Sequence, residues 1–183
     1  MSLVILSGPS GVGKDTILHA WTAVNPRIRK VVAYTTRDPR TGEVNGVDYN
    51  FVSREEFLAK AEQGDFLEWK EVHGNLYATP QKDMQAILDD GDIALLKIDV
   101  QGALDVMKLR KDALAIFLLP PSWDELERRI RSRKQDSPEQ IEKRLANARG
   151  ELALADQYHV RIVNDDVDRA VAELQSIVGA RVA

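Results

Sequence analysis

The sequence predicts an α/β fold with a parallel sheet core and helices on both faces of the sheet. Short apolar runs alternate along the chain with longer amphipathic stretches, as strand, helix, strand units do in such a fold. The apolar runs are continuous, which is expected for strands covered on both faces. The predicted strands are LVILS (3–7), KVVAY (30–34), IALLKIDV (93–100), LAIFLLP (114–120) and HVRIV (159–163). The predicted helices lie near 14–25, 101–111, 122–134, 138–156 and 166–181.

Two of these helices carry recognisable start signals. Ser122 precedes the third helix and Glu125 follows three residues later, which is the pattern of a capping box. Ser137 followed by Pro138 places a capping side chain and then a proline at the first helical position.

The stretch 36–90 departs from the alternation and predicts a small mixed α/β insertion on a core formed by 1–35 and 91–183. It contains a helical pattern near 53–63 and short strand-like runs such as DYNFV and FLEWKEV. It also contains dipeptides typical of turns, namely Thr41-Gly42, Asn45-Gly46 and Gly74-Asn75.

Composition excludes several classes of protein. The 183 residues suit one compact domain, and 44% hydrophobic with 30% charged residues is ordinary for a globular protein. The chain has no cysteine, which excludes disulfides, thiol catalysis and cysteine-ligated metals. No apolar run approaches the ~20 residues of a membrane span, and the start lacks the pattern of a signal peptide. We therefore expect a cytoplasmic protein without a membrane partner.

The net charge of −4 gives no sign of nucleic-acid binding. The basic residues are nevertheless clustered, and each cluster is either a solvated surface or a clamp for phosphate. The first cluster contains Arg27, Arg29, Lys30, Arg37 and Arg40, and the second contains Arg128, Arg129, Arg131, Arg133 and Lys134.

The most specific motif is a glycine-rich loop between the first predicted strand and the first predicted helix. It has the pattern G-x4-G-K of a P-loop, in which backbone N–H groups and the helix N-terminus face phosphate oxygens. We expect Lys14 to reach the β- and γ-phosphates of a nucleotide. The loop predicts a core of the P-loop NTPase type and an ATP site that consists of Gly8, Pro9, Ser10, Gly11, Val12, Gly13, Lys14, Asp15 and Thr16.

Beyond this loop the sequence resembles the guanylate kinase family over nearly its whole length. The similar segments follow the order and spacing of that family, so they are more specific than a P-loop alone. They are GPSGVGK (8–14), TTRDPRTGEVNGVDYNFV (35–52), FLEWKEVHGNLYATP (66–80), IDVQGA (98–103), PPSWDELERRIRSR (120–133) and RIVNDD (161–166). The resemblance implies transfer of the γ-phosphoryl group of ATP to GMP, and acceptance of dGMP, in purine nucleotide metabolism.

The resemblance also implies which residues bind the GMP phosphate. Arg37 and Arg40 match two phosphate-binding arginines, and guanidinium forks suit bidentate contact with phosphate. Tyr49 and Tyr77 match tyrosines that add neutral hydrogen-bond donors.

A further group of residues matches those that read the guanine. Glu68 matches a carboxylate that accepts from guanine N1–H and the 2-amino group, a pair of donors that adenine lacks. Thr79 matches a hydroxyl that donates to guanine O6. Asp99 matches an acid beneath the substrate, although a helix-capping aspartate is the alternative interpretation.

The basic segment near 128–144 resembles a lid that closes over ATP. Arg133 and Arg144 match its catalytic arginines best, and they would neutralise charge on the transferred phosphoryl group. Asn164 matches a residue near the ATP base. Arg128, Arg129 and Arg131 fit either the lid or a solvated helix face.

Three positions depart from the family pattern. Asp15 replaces the Ser or Thr whose hydroxyl ligates Mg²⁺, Lys97 replaces an acid, and Ala33 replaces a serine that contacts guanine. Because the first two positions are expected to be close together, Asp15 and Lys97 form an ion pair, or Asp15 ligates Mg²⁺ and Lys97 contacts phosphate. A partly inactive site is the third interpretation. Mg²⁺ is the expected cofactor because ATP is used as its Mg²⁺ complex.

Two other functions compete with GMP phosphorylation. A related P-loop kinase for another phosphorylated acceptor, such as ribose 1,5-bisphosphate, is compatible with Asp15. A non-catalytic guanylate-kinase-like binding module would keep the phosphate pocket but lose ATP binding. The intact Gly8–Lys14 loop and the arginine-rich lid favour the enzyme, with ATP and GMP as small-molecule substrates and a monomer or homodimer as the assembly.

Overall fold

The computed structural model describes residues 2–72, 74–132 and 137–182, and it has an α/β architecture. The strands are β1 (Ser2–Ser7), β2 (Ile28–Lys30), β3 (Tyr34–Thr35), β4 (Asn50–Phe51), β5 (Phe66–Val72), β6 (Asn75–Pro80), β7 (Ile93–Lys97), β8 (Leu114–Leu119) and β9 (Val160–Val163). The helices are α1 (Lys14–Val24), α2 (Arg54–Glu62), α3 (Gln81–Asp89), α4 (Val100–Leu109), α5 (Trp123–Arg131), α6 (Pro138–Leu152) and α7 (Val167–Val182).

The core is a parallel sheet with the strand order β2-β7-β1-β8-β9. Successive residues of β1 point to opposite faces of this sheet, so Leu3 and Ile5 join one apolar cluster while Val4 and Leu6 join the other. Helices α3 and α4 pack on the first face, and α1, α5, α6 and α7 pack on the second. The prediction of a parallel sheet with helices on both faces is confirmed.

A second, smaller sheet has the order β4-β3-β6-β5 and contains antiparallel pairs. Phe57 of α2 packs with Leu76 and Ala78 of β6 in a separate apolar cluster beneath it. The chain enters this sheet at Tyr34 and leaves it at Pro80.

The structure differs from the sequence prediction at three elements. The run 30–34 is divided between the two sheets, because Val31 makes the last backbone bond to β7 and Tyr34 already pairs with β6. The run 93–100 ends as a strand at Lys97 because Asp99 caps helix α4. Helix α3 was not predicted, although Met84, Ile87 and Leu88 have helical spacing and are buried in the core.

Both predicted capping serines are in place, but the predicted box at Ser122 is incomplete because the carboxylate of Glu125 accepts from Arg128 and Arg129 instead. The hydroxyl of Ser122 accepts from the backbone N–H of Glu125. Ser137 and Gln140 form a reciprocal capping box, with Pro138 as the first residue of α6. Among the described residues, no helix combines the length and apolar character that crossing a bilayer requires.

Trp21 joins the helix that follows the glycine-rich loop to the C-terminal helix. Its side chain is fully buried, and its indole N–H donates to Oε1 of Gln175 at 3.0 Å. We expect Trp21→Ala to lower the free energy of unfolding by about 3–5 kcal/mol, measured by urea denaturation. The matched control is Trp69→Ala, because Trp69 is 47% exposed. This variant is expected to lower the free energy of unfolding by about 1 kcal/mol. Equal losses for the two variants would contradict the assignment of Trp21 to the core.

Candidate active site

A cleft of about 640 Å³ lies between the carboxyl edge of the core sheet and the second sheet. Ligands bind at this edge in open α/β sheets because the loops that follow parallel strands meet there. Most of the predicted site residues line the cleft, namely Gly8, Ser10, Gly11, Gly13, Lys14, Asp15, Thr16, Arg37, Arg40, Tyr49, Glu68, Tyr77, Thr79, Asp99 and Arg144. Pro9, Val12 and Asn164 do not line it. Arg133 lies outside the described residues.

The glycine-rich loop follows β1 directly and is held tightly against the core. Gly8 has φ 144°, and a Cβ at this position would lie 2.6 Å from the backbone oxygen of Leu118. Gly13 has φ 97° in the left-handed region at the start of α1, so it needs the freedom of glycine. The ammonium of Lys14 donates to the backbone oxygens of Gly8 at 2.5 Å and Pro9 at 3.0 Å. The loop therefore keeps its curved form through contacts within the protein.

Asn164 supports this loop from behind. Asn164 is 5% exposed, and its amide Nδ2 donates to the backbone oxygen of Val12 at 2.8 Å. The same nitrogen would be 2.5 Å from a Cβ on Gly13. Asn164 thus holds the loop through its backbone, and its predicted contact with the ATP base stays a prediction.

Lys14 and Glu151 carry opposite charges and influence each other at the base of the loop. Burial lowers the pKa of Lys14 to about 8, while the charge of Glu151 opposes this shift. Burial also raises the pKa of Glu151, whose Oε2 has no hydrogen-bond partner among the described residues. Glu151 lies in α6 and is not predicted from the sequence, because nothing in the pattern of that helix distinguishes it from a surface acid.

The phosphate pocket predicted for the acceptor is preorganised by Glu43. Nη2 of Arg37 donates to both carboxylate oxygens of Glu43, at 2.8 and 2.9 Å, and the backbone N–H of Arg40 donates to one of them at 2.7 Å. The guanidinium of Arg37 lies 5.6 Å from the centroid of the Tyr49 ring, which lies 6.0 Å from the ring of Tyr77. Glu43 was not predicted, although its position three residues after Arg40 is a signal for such a contact.

The neighbouring pocket holds two carboxylates and a buried hydroxyl. Glu68 of β5 pairs with Thr79 of β6 across the sheet, and the Thr79 hydroxyl donates to Oε1 of Glu68 at 2.7 Å. Burial raises the pKa of Glu68 to about 7, with Asp99 adding repulsion and Thr79 opposing the shift. Asp99 caps α4 by accepting from the N–H of Gly102 at 3.0 Å, and it also lines the cleft. Both interpretations of Asp99 are therefore compatible with its position.

Gly102 keeps this pocket open. A Cβ at this glycine would lie 3.4 Å from Oδ2 of Asp99 and 3.6 Å from Oε2 of Glu68. Any side chain longer than a methyl group would extend into the space between the two carboxylates.

Asp15 and Lys97 form an ion pair that joins the start of α1 to the end of β7. The ammonium and the charge-assisted hydrogen bond outweigh the effect of burial, so the pKa of the Asp15 carboxyl is lowered. The side chain of Lys97 is 12% exposed, whereas that of Asp15 is 81% exposed. The first of the two arrangements considered from the sequence is thus present in the structure.

The arginines of the lid segment divide into two groups. Nη1 of Arg144 lies 3.3 Å from the hydroxyl of Ser10, and Nη1 of Arg129 donates to the backbone oxygen of Val12 at 3.3 Å. Both therefore touch the glycine-rich loop. Arg128 and Arg131 instead pair with acidic side chains on the outer surface of α5 and α6, as solvated helix residues do.

Comparison with known proteins identifies the family. The sequence model of the guanylate kinase family matches residues 1–181. The chain belongs to the guanylate kinase family.

The relatives of this guanylate kinase family member span almost all of it. It is 45% identical to the guanylate kinase of Alkalilimnicola ehrlichii over 98% of the chain and 88% of that protein. It is 46% identical to the guanylate kinase of Pseudomonas fluorescens strain Pf0-1 over 98% of the chain and 87% of that protein. The crystal structure of guanylate kinase from Anaplasma phagocytophilum has a TM-score of 0.80 at 36% identity, covering 98% of this chain and 85% of that one.

The raised pKa of Glu68 makes stability depend on pH. A carboxyl whose pKa is about 7 in the folded state and 4.5 in the unfolded state lowers stability as pH rises through this range. We expect Glu68→Gln to raise the free energy of unfolding by about 1–3 kcal/mol at pH 8 and to leave it unchanged near pH 4. Urea denaturation at a series of pH values measures this difference.

The matched control for this experiment is Glu71→Gln on the same strand. The side chain of Glu71 is 52% exposed and pairs with Arg54 at the surface, so its substitution is expected to change stability little at any pH. A Glu68→Gln effect of equal size at pH 4 and pH 8 would show that Glu68 is not buried as a carboxylate.

Proposed function

We propose that this guanylate kinase family member transfers the γ-phosphoryl group of ATP to GMP, with the site residues acting as follows. The observation that carries the proposal is that one cleft joins the glycine-rich loop to a pocket with arginines, tyrosines and a half-buried carboxylate. The first part suits the donor phosphates, and the second suits a purine monophosphate.

Phosphoryl transfer requires little covalent chemistry from a protein, so positioning and charge neutralisation dominate the rate. Lys14 and the N–H groups of Gly8 to Gly13 would hold the donor phosphates. Arg144, already in contact with Ser10 of the loop, would neutralise charge on the transferred group. Arg133 is proposed for the same role from its sequence position.

The acceptor is held at both ends in this proposal. Arg37, Arg40, Tyr49 and Tyr77 would bind the phosphate of GMP, and the fixed geometry of Arg37 on Glu43 reduces the entropy lost on binding.

The carboxylate of Glu68 would accept from guanine N1–H and the 2-amino group. Thr79 would either donate to guanine O6 or continue to orient Glu68, and its observed hydrogen bond favours the orienting role. The loss of a serine at Ala33 removes one hydrogen bond, worth about 0.5–1.5 kcal/mol.

The donor set of the cleft fits a magnesium ion that arrives on the nucleotide. No cluster of three or more metal-ligating side chains occurs within the part of the chain that the structure describes. Mg²⁺ is usually bound by one or two carboxylates together with waters and phosphates, and the exposed carboxylate of Asp15 beside Thr16 meets that need. When bound, the ion supplies neutralisation of phosphate charge. Asp15 and Thr16 are the residues that would hold it.

The same proposal covers location and assembly. ATP and GMP are intracellular metabolites, which supports a cytoplasmic location. Because residues of one chain line the described cleft, a monomer suffices for the reaction, and a homodimer is compatible with it.

The experiment that tests the acceptor is ADP release with ATP, Mg²⁺ and each of GMP, AMP, UMP, CMP and ribose 1,5-bisphosphate. We expect turnover with GMP, and a KM for GMP that is about 10- to 100-fold higher in Glu68→Gln, because charge-assisted hydrogen bonds to guanine are lost. Glu71→Gln is the control and is expected to match the unmodified protein. Turnover with ribose 1,5-bisphosphate and none with GMP would contradict the proposal.

The pKa of Glu68 also predicts how GMP recognition depends on pH. A protonated carboxyl cannot accept both guanine donors, so the KM for GMP is expected to rise by roughly an order of magnitude as pH falls from about 7.5 to about 6. The GMP phosphate itself titrates near pH 6. In Glu68→Gln the KM for GMP is expected to depend on pH only through the titration of this phosphate, so the variant is the control. Identical pH profiles for the two proteins would show that Glu68 does not read guanine.

A further inference from the structure

Lys97 places its ammonium group between the two halves of the cleft. On one side it forms the ion pair with Asp15 at the end of the glycine-rich loop. On the other side it lies 5.6 Å from the ring centroid of Tyr49, in the pocket assigned to the GMP phosphate. Its side chain lines the cleft, although it is only 12% exposed. A group bound at this point would contact the donor and the acceptor phosphates together.

Positive charge is concentrated around this position. Lys14 is held by loop carbonyls, and Lys30 donates to the backbone oxygens of Val47 and Asp48 at 2.7 and 2.8 Å. Burial lowers the pKa of Lys14 and of Lys30, and the charge of Lys97 lowers both further. Lys14, Lys30 and Lys97 repel one another, and although the charges of Asp15, Glu151 and Asp48 oppose this effect, a bound anion would stabilise all three ammonium groups.

A purely structural function for the Asp15–Lys97 pair does not account for this arrangement. The Asp15 side chain is 81% exposed, and ion pairs with an exposed partner contribute little to stability. The contact with Asp15 therefore contributes little of the free energy that is needed to bury the side chain of Lys97. A phosphoryl group, which carries several negative charges, would bind between these ammonium groups and gives the position of Lys97 a function that its contact with Asp15 alone does not.

We propose that Lys97 is a catalytic residue that binds the phosphoryl group while it passes from ATP to GMP, and that Asp15 is its positioning residue. This inference rests on the proposed function. A phosphate oxygen of dianionic GMP forms the new bond to the γ-phosphorus, and the bond from that phosphorus to the bridging oxygen breaks, leaving its electron pair on ADP. Lys97 keeps its proton and donates hydrogen bonds to the equatorial oxygens, where negative charge is spread in the transition state.

The first test compares Lys97→Met with Lys82→Met, the same substitution at a side chain that is 87% exposed. We expect kcat to fall about 100-fold in Lys97→Met, with the KM values for ATP and GMP within about threefold and the urea midpoint unchanged. Lys97→Arg, which keeps the charge, is expected to retain about a tenth of the activity. Lys97→Gln is a smaller change that repeats the test if the methionine variant does not fold.

The second test measures binding without turnover. The probe is ADP with aluminium fluoride and GMP, which together mimic the phosphoryl group in transit, and calorimetry measures the affinity. Lys97→Met is expected to bind this combination about 100-fold more weakly while binding GMP alone and ADP alone normally, because the interaction belongs to the transition state.

The third test assigns the function of Asp15. At saturating Mg²⁺, where excess ion offsets the loss of the proposed contact between Asp15 and Mg²⁺, Asp15→Asn is expected to lower kcat about five- to tenfold in the unmodified protein and to have no further effect in Lys97→Met, because a positioning residue acts through its partner. An additional loss in the double variant would overturn this assignment.

The possible failures are distinguishable. An unmodified protein that does not phosphorylate GMP would overturn the proposed function and this inference with it. An active protein in which Lys97→Met keeps kcat within threefold, or loses GMP binding and stability in parallel, would overturn the inference alone.

Discussion

The parallel pairing of β1 between β7 and β8 is the constraint on which the rest of the structure depends. It aligns the carboxyl ends of three buried strands, so the glycine-rich loop, Lys97 and Asp99 emerge at one edge. The hydroxyl of Ser7 donates to the backbone oxygen of Ile98 at 3.0 Å and ties the ends of two of these strands together. Helix α1 then begins directly after the loop. The donor half of the cleft is thus a consequence of strand order.

Charge is organised around this edge by carboxylates that hold cations in place. Glu43 fixes Arg37, Asp15 pairs with Lys97, and the charge of Glu151 opposes the effect of burial on Lys14. Each partnership lowers the cost of keeping a cation partly buried and fixes its direction. Phosphate ligands would therefore meet a site whose positive groups already have their positions, which is the condition for effective electrostatic catalysis.

The sequence predicts the core sheet well because its strands are continuous apolar runs bounded by glycine or polar residues. The glycine-rich loop and its context are equally visible. The division of 30–34 between two sheets was not predictable, since an apolar run carries no information about which partner each residue pairs with. The amphipathic pattern of helix α3 extends over only nine residues, and periodicity over so short a stretch does not identify a helix. Glu43 and Glu151 act through contacts between distant elements or across a loop, and periodicity does not reveal such contacts.

In the binding mode proposed for GMP, the half-buried carboxyl of Glu68 couples GMP binding to proton exchange with the solvent. Near pH 6 this group carries a proton in the folded protein, because its pKa is about 7. In the proposed binding mode guanine pairs with the carboxylate, so each GMP that binds would release up to ~1 proton into the buffer. The heat of binding would then vary with the ionisation enthalpy of the buffer. A cell that becomes acidic would slow this phosphorylation through the acceptor side of the cleft, with the ATP side unaffected by this carboxyl.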